Sequence, residues 1–163
     1  MKTPIQTFLV FLLRVSMGGV YLFAAYRQIP DPEWSAAGFL GNASLFPSFF
    51  AFFTAPEILP IIDAVIPWAH LLIGLGLFLG LGMRLATLGG GLLMFLYYLP
   101  RLDGFMVGEH NFIVEYHLVY TIVIFYLAAI GAGRAFGLEG FIAAYPKLEA
   151  RLKRNRLLRL LVF

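Results

Sequence analysis

The sequence predicts an all-α integral membrane protein built as a four-transmembrane-helix antiparallel bundle. Hydrophobic residues make up 61% of the 163 residues and charged residues only 13%, which is far from the composition of soluble domains. Four apolar runs are long enough, or nearly long enough, to cross a bilayer as helices. None of them alternates as a strand does, and an open sheet cannot span lipid, so helices are the only realistic spanning form.

The four predicted spans form a single membrane domain over residues 1–163. They lie near residues 5–26, 58–81, 85–99 and 112–131. The third run is short, and helix tilt or local bilayer thinning would accommodate it. The first run resembles the apolar region of a signal peptide, but Arg14 interrupts it and it is longer than a usual signal core. We therefore expect the first helix to be retained.

Basic residues outside the spans fall on one side of the predicted bundle. With the N-terminus inside and four crossings, the outer loops hold only Arg27 and Arg101. The positive-inside rule then places both the N- and C-termini in the cytoplasm and the protein in the cell membrane. The inner basic residues are Lys2, Arg84, Arg134, Lys147, Arg151, Lys153, Arg154, Arg156 and Arg159.

Two segments lie outside the predicted spans. A long outer loop joins helices 1 and 2, and its Phe-rich half, residues 38–56, is too apolar to float in water and too interrupted by proline to cross the bilayer. We expect this half to re-enter the bundle or to lie on its surface. The tail, residues 141–163, is basic and helix-prone, which predicts an interfacial helix on anionic lipid or, alternatively, a stop-transfer charge cluster with a frayed end. Nucleic acid is not an expected partner, because this charge lies against a membrane.

Glycines inside the apolar runs predict close approach of the helices. Gly76 and Gly80 have small-xxx-small spacing, and Gly18–Gly19 and Gly89–Gly91 offer the same opportunity in the first and third runs. No lysine followed by serine or threonine ends these runs and no strand precedes them, so a phosphate-binding loop is not expected.

Ionisable residues inside the apolar runs predict a polar interior site. Arg14 lies near the middle of the first run, where an unpaired cation costs roughly 2.5–3.5 kcal/mol. Helical spacing puts Tyr21 on the same face as Arg14. His70 in the second run, Tyr97 at the end of the third and Glu115 in the fourth complete a predicted cavity that opens towards the outer side.

Structural roles remain open for the same residues. Arg14 fits a structural ion pair, His70 a satisfied polar core residue, and Glu115 and His117 helix-terminal residues at the headgroup level. Treated as positions on one helix, Glu115 and His117 lie nearly opposite each other, so only one of them is expected to face the cavity.

The histidines and nearby glutamates also raise the question of a metal site. His70, His110 and His117, with Glu109 and Glu115, are suitable ligand types for zinc, iron or haem. No HxxxH or ExxH spacing occurs, so no metal is expected. The chain contains no cysteine, which excludes thiol–disulfide exchange, iron–sulfur ligation and thiolate metal sites.

Four stretches of the chain resemble the DoxX/DoxD family of four-helix membrane proteins. They occur in the family's order, cover most of residues 10–140, and include Trp34, Arg84 and Arg134 besides Arg14. A departure occurs at His70, where the family often has glutamate. The stretches are LLRVSMGGVYLFAAYRQ, DPEWSAAGFL, LLIGLGLFLGLGMRLATLGGGLLM and HLVYTIVIFYLAAIGAGRAFGLEG.

This resemblance implies a membrane subunit of a quinone-linked oxidoreductase, similar to thiosulfate:quinone oxidoreductase. Quinone would be the redox substrate in the predicted cavity, bound by Arg14, Tyr21 and Tyr97, with His70 and Glu115 as catalytic residues that relay protons. A partner subunit or a homo-oligomer is expected. Two other hypotheses remain, a non-catalytic membrane anchor or accessory subunit of a larger complex and a small carrier or lipid-binding protein.

Overall fold

The computed structural model describes residues 3–108 and 111–155, and the protein in these ranges is mostly helical. Eight α-helices follow one another along the chain, and four of them are long. The helices are α1 (Pro4–Gln28), α2 (Ala37–Gly41), α3 (Pro47–Phe52), α4 (Leu59–Leu79), α5 (Met83–Tyr98), α6 (Tyr116–Ala129), α7 (Leu138–Ala144) and α8 (Pro146–Arg154).

The ends of the long helices follow from local sequence. Thr3 caps α1 in a capping box with Gln6, and proline occupies the first helical position. Gly80, in a left-handed conformation with φ 67°, ends α4, and Gly82 with φ 65° precedes α5. These two glycines make a tight turn, so α4 and α5 must run antiparallel.

The four long helices pack in a ring in the order α1, α4, α5, α6, with α6 returning to α1. Arg14 bonds to Leu77 while Tyr21 lies against His70, so α1 and α4 run in opposite directions. Tyr97 lies against both His70 and His117, which brings the end of α5 to the middle of α4 and the start of α6. The buried apolar core includes Met17, Tyr21, Leu77, Met94, Ile124 and Leu127.

The bundle buries several polar residues within its apolar core and exposes many large apolar side chains. Six polar or charged residues are buried between the helices, whereas large apolar side chains cover the outside of all four long helices. The buried polar residues are Arg14, His70, Thr87, Glu115, His117 and Thr121. Exposed apolar residues include Phe8, Leu12 and Phe23 on α1, Val65, Trp68 and Leu72 on α4, Leu85, Leu88 and Leu92 on α5, and Val119, Ile122 and Phe125 on α6.

Two of the helices, α1 and α4, are long and apolar enough to cross a membrane. Only 33% and 28% of their most apolar windows are buried, unlike the mostly buried core helix of a soluble protein. The helices α5 and α6 have 16 and 14 residues, which gives lengths of about 24 and 21 Å. The fourth predicted span, residues 112–131, is longer than the helix that it contains, because α6 begins only at Tyr116.

A small antiparallel sheet lies between α5 and α6, which an all-α prediction does not contain. Its strands β1 (Leu102–Asp103), β2 (Met106–Val107) and β3 (Asn111–Phe112) pair in sequence order. Gly104, with φ 57°, supplies the positive φ that a two-residue hairpin turn between β1 and β2 requires. We call the end of the bundle with this sheet the outer end and the opposite end the inner end, after the predicted topology.

The outer connection and the tail each contain two short helices. In the outer connection, the amide of Ala36 donates to the Asp63 carboxylate of α4 (2.8 Å), and the amide of Ser44 donates to the carbonyl of Pro100 (2.7 Å). These bonds hold α2 and α3 against the outer ends of α4 and α5. The tail begins with α7 and α8 at the inner end, and residues 156–163 of the predicted interfacial segment lie outside the described residues.

Candidate functional site

An apolar cavity of about 320 Å³ lies at the outer end beneath α2 and α3. Phenylalanines of the outer connection form one side, and aliphatic residues of α4 and α5 form the other. Of the described side chains that line it, only that of Tyr97 carries a polar group. The lining residues are Ala36, Phe39, Leu40, Phe49, Phe50, Phe53, Ile62, Ile66, Leu93, Leu96 and Tyr97.

Tyr97 connects this cavity to a buried histidine. Its hydroxyl lies 3.4 Å from Nε2 of His70, and the two rings stack with their centroids 5.8 Å apart. Phe39 packs edge-on against the other side of the Tyr97 ring at 5.3 Å. The cavity wall therefore includes the ring of Tyr97, whose hydroxyl is directed towards His70.

His70 is only 1% exposed and is incompletely satisfied. Within the described residues, Nδ1 of His70 makes no hydrogen bond. The carbonyl of Ile66, one turn earlier on α4, lies close enough to interact with the ring. An atom such as this Nδ1 is costly in a packed interior unless it has a function or a partner. Among the described residues, Arg14 and Gln28 each also have a buried side-chain atom without a hydrogen bond, at Nε and Oε1.

Tyr21 lies on the far side of His70 from Tyr97. Its ring centroid is 5.8 Å from that of His70, and its hydroxyl donates to the carbonyl of Gly90 on α5 at 2.7 Å. A Cβ at Gly90 would lie 3.1 Å from this hydroxyl, so the glycine provides the space for the bond. The structure brings Tyr21, His70 and Tyr97 together, and the hydroxyl of Tyr21 is already used.

Glu115 and His117 form a bonded pair, contrary to the expectation that they point in opposite directions. Glu115 is the N-cap of α6 with an extended backbone (φ −125°, ψ 165°), so the helical wheel does not apply to it. Its carboxylate accepts from the amide of His117 at 2.8 Å and lies 2.9 Å from the Nδ1 atom of the same residue. Arg101, at the outer surface, lies 3.8 Å from the carboxylate.

His117 is not among the five residues of the predicted cavity, because helical spacing allowed only one of Glu115 and His117 to face it. Its ring packs edge-on against that of Tyr97, with centroids 6.0 Å apart. Glu115 therefore reaches the cavity wall only through His117. The signal that could have revealed the pair is an N-cap carboxylate two residues before a histidine, just after a strand and before an apolar helix.

Arg14 is buried as predicted but contacts neither His70 nor Glu115. Its two terminal nitrogens donate to four backbone carbonyls, Leu77 (2.5 Å) and Phe78 (2.9 Å) at the end of α4, and Ala135 (3.2 Å) and Phe136 (3.4 Å) after α6. The cation thus caps the carbonyl end of a helix, where positive charge is favoured. The predicted five-residue cavity separates into an outer group and Arg14 at the inner end.

A half-buried carboxylate, Glu139, lies near Arg14 at the inner end and was not singled out from the sequence. It accepts from the amide of Met83 at the start of α5 at 2.9 Å, and its own amide donates to the carbonyl of Gly80 at 3.0 Å. Burial raises the pKa of Glu139, and the Met83 bond and the charges of Arg134, Arg14 and Arg84 partly oppose this shift. These bonds tie α7 to the turn between α4 and α5.

Within residues 3–108 and 111–155, no three histidine, aspartate or glutamate side chains converge as metal ligands. Glu109 and His110 lie outside the described residues. Comparisons of the chain with protein-family models, with curated proteins and with solved structures find no match.

Proposed function

We propose that this is an integral membrane protein in which α1, α4, α5 and α6 all cross the bilayer and both termini are cytoplasmic. The apolar exterior of all four helices supports this, because lipid solvates such a surface and water does not. The buried Arg14, Glu115 and His117 also support it, since ionisable residues in a membrane face the bundle interior. Tilt or local thinning accommodates the shorter α5 and α6.

The chain acts as the membrane subunit of a quinone-linked oxidoreductase, in keeping with its resemblance to the DoxX/DoxD family. The observation that carries this proposal is the apolar cavity lined by phenylalanines and by Tyr97, whose hydroxyl lies 3.4 Å from Nε2 of His70. A quinone ring requires a flat apolar slot and a donor for its carbonyl oxygen. The phenylalanines supply the slot, and the Tyr97 hydroxyl supplies the donor.

Reduction of a quinone to a quinol consumes two electrons and two protons. With no cysteine in the chain, electrons come from the reductant itself or from a redox group on a partner subunit. In thiosulfate:quinone oxidoreductase, whose membrane subunit belongs to one branch of the family that the chain resembles, thiosulfate is the reductant. The role of this chain is to bind the ring, orient it through Tyr97, and exclude water from it with α2 and α3.

Quinone titration of the purified protein in lipid nanodiscs tests this function. We expect saturable binding of a short-chain benzoquinone or naphthoquinone, weakened about tenfold in Tyr97→Phe because one hydrogen bond is lost. His70→Phe should weaken binding as well, because it leaves the Tyr97 hydroxyl without its partner. Tyr98→Phe is the matched control, since the neighbouring hydroxyl donates to the carbonyl of Ile113 and does not line the cavity. Absence of saturable binding to the unmodified chain with its native partners present would contradict the proposal.

A non-catalytic anchor or accessory subunit is the second candidate. The observation that favours it is the structural use of the Arg14 and Glu115 charges, which bond to backbone carbonyls and to His117. Stoichiometric copurification of a partner, without quinone binding by either the chain or the complex, would select this function.

A further inference from the structure

An open groove of about 650 Å³ lies at the inner end, between the end of α4 and the segment that leads into α7. Five large apolar residues line it, and each of them is at least 39% exposed. They are Phe78, Leu79, Phe136, Leu138 and Phe141, and the charged Arg134 lies beside them. Apolar side chains also cover the outside of the long helices, so the concave shape and the arginine are what distinguish this place.

The most exposed residue of the groove, Phe136, has a backbone conformation that disfavours its own side chain. Its φ of 50° lies in the left-handed region, which glycine adopts more readily. The backbone is fixed there because the carbonyls of Ala135 and Phe136 accept from the Arg14 guanidinium at 3.2 and 3.4 Å. A Cβ at the next residue, Gly137, would clash with the carbonyl of Gly133. Strain that the surroundings hold in place at an exposed aromatic residue indicates a function for that residue.

Positive charge surrounds the groove. Three arginines, Arg14, Arg84 and Arg134, act electrostatically on the one carboxylate of Glu139. Arg14 is committed to backbone carbonyls, whereas Arg84 and Arg134 are exposed and their guanidinium groups bond to no other described residue. One carboxylate cannot neutralise three cations, so this end of the bundle attracts anions.

We propose that the groove binds an anionic phospholipid of the inner leaflet, with the headgroup phosphate at Arg134 and an acyl chain against Phe136 and its apolar neighbours. A guanidinium suits phosphate because its planar fork donates two parallel hydrogen bonds. Basic sites at the cytoplasmic surface of a membrane protein select lipids by the charge of the headgroup. This inference goes beyond the quinone-linked function and rests only on the membrane location proposed above.

The lining of the groove favours a lipid over a soluble phosphate compound. A soluble anion would contact Arg134 and leave the phenylalanines exposed to water. A phospholipid presents both parts in the order that the groove offers them, a charged headgroup followed by an apolar chain. Contact with that chain would also bury Phe136, whose strained backbone directs it outwards.

Lipid binding to the purified chain in detergent, measured by native mass spectrometry, tests the proposal. The probes are dioleoyl phosphatidylglycerol and dioleoyl phosphatidylcholine, which share acyl chains and differ in headgroup charge. We expect the anionic lipid to bind saturably and about tenfold more tightly than the zwitterionic one. Arg134→Gln keeps hydrogen-bond donors but loses the charge, so it should weaken binding of the anionic lipid about tenfold and remove most of the preference.

Arg151→Gln is the matched control, because it removes the same charge from an exposed residue of α8 that does not line the groove. It should change the affinity by no more than about twofold. Equal weakening in Arg134→Gln and Arg151→Gln would mean diffuse attraction to the basic surface and would overturn the site.

A second variant, Phe136→Gly, separates lipid binding from a structural role and serves if Arg134→Gln does not fold. Glycine tolerates the left-handed backbone, so the lipid-free protein should unfold at the same or a higher temperature while the anionic lipid binds several-fold more weakly. A lower unfolding temperature with unchanged lipid affinity would assign Phe136 to structure and overturn the proposal.

Two further results would also overturn it. Glycerol phosphate that displaces the lipid at equal concentration would show a site for soluble anions. Equal affinity of the unmodified protein for both lipids would show that headgroup charge is not recognised. Either result leaves the quinone-linked function untouched, because its cavity lies at the outer end.

Discussion

Arg14 illustrates how backbone carbonyls stabilise a cation at the centre of an apolar helix. The C-terminal carbonyls of α4 have no intrahelical donors, and two of them accept from the guanidinium, together with the carbonyls of Ala135 and Phe136. A Cβ at Gly80 would lie 2.7 Å from the guanidinium, so the glycine that ends α4 also provides the space for it. The charge is therefore a structural link between α1, α4 and the segment after α6.

The first prediction concerns the removal of this link. Arg14→Leu should lower the free energy of unfolding by about 2–4 kcal/mol, because it leaves buried carbonyls without donors. Quinone binding by the folded fraction should persist, since Arg14 lies away from the cavity. Arg151→Leu, at an exposed basic residue of α8, is the control and should change the unfolding temperature in detergent little. An Arg14→Leu protein as stable as the unmodified one would contradict the capping role.

The second prediction concerns pH and Glu139. Burial raises its pKa in the folded protein above the ordinary value of 4.5. At a pH between 4.5 and the pKa of the folded protein, the folded protein therefore binds more protons than the unfolded chain. The free energy of unfolding contributed by this group therefore falls as pH rises through the folded pKa and is regained on acidification. Glu139→Gln keeps the acceptor for Met83 but cannot ionise, so it should flatten the fall in unfolding temperature from mildly acidic to neutral pH.

The exposed Glu57→Gln is the control for this measurement and should keep the pH dependence of the unmodified protein. An unaltered pH dependence in Glu139→Gln would show that burial does not dominate at this carboxylate.

The sequence predicted individual site residues where helical geometry alone decided their position. Arg14, Tyr21 and His70 lie inside regular helices, and all three face the interior as their spacing indicates. It could not predict the partners of Arg14, since these are carbonyls of distant segments. It also separated Glu115 from His117, because the extended backbone of an N-cap is invisible to a helical wheel.

At the scale of elements, glycine determines how closely α1 and α4 approach. A Cβ built at Gly18 would lie 2.7 Å from the backbone nitrogen of Phe78, and one at Gly74 would lie 2.8 Å from the Leu22 side chain. Gly19, the next residue of α1, has no neighbouring atom within 4 Å of such a Cβ. Small residues at a helix interface allow this backbone contact, and the two helices then pack along most of their length.

The third prediction compares these adjacent glycines. Gly18→Ala should destabilise the protein by about 1–3 kcal/mol, because the methyl group meets backbone that cannot move aside. Gly19→Ala has the same effect on helix propensity without the contact, so it should be neutral or stabilise by up to about 1 kcal/mol. Unfolding temperatures of both variants in one detergent give the comparison. Equal temperatures for the two variants would mean that α1 and α4 are not packed this closely.

Elements with long periodic patterns were predicted well, and short ones were not. The positions of α1, α4 and α5 agree with the apolar runs to within a few residues, because these runs are continuous. The strands β1, β2 and β3 have two residues each, too few for any periodicity to appear. The sheet displaces the start of α6 to Tyr116 and thereby creates the N-cap at Glu115.

For the whole molecule, the number of long helices that cross the bilayer determines on which side the sheet and the cavity lie. All four carry exposed apolar side chains, but only α1 and α4 have the length to cross a bilayer without adjustment. If α5 and α6 stayed on the inner side, the sheet would lie in the cytoplasm and the cavity could not open outwards.

The fourth prediction tests that arrangement by the side from which single cysteines are labelled. The chain contains no cysteine, so each introduced thiol reports only its own position. In intact cells, a membrane-impermeant maleimide should label Glu33→Cys and Asp103→Cys, and it should label Arg84→Cys and Ala150→Cys only after permeabilisation. All four positions are exposed in the structure. Asp103 discriminates between the models, because two crossings would place it inside with Arg84, whereas four crossings place it outside with Glu33.

Labelling of Glu33→Cys alone in intact cells would leave α1 and α4 as the only spanning helices. Labelling of Glu33→Cys and Ala150→Cys from the same side would reject the cytoplasmic C-terminus.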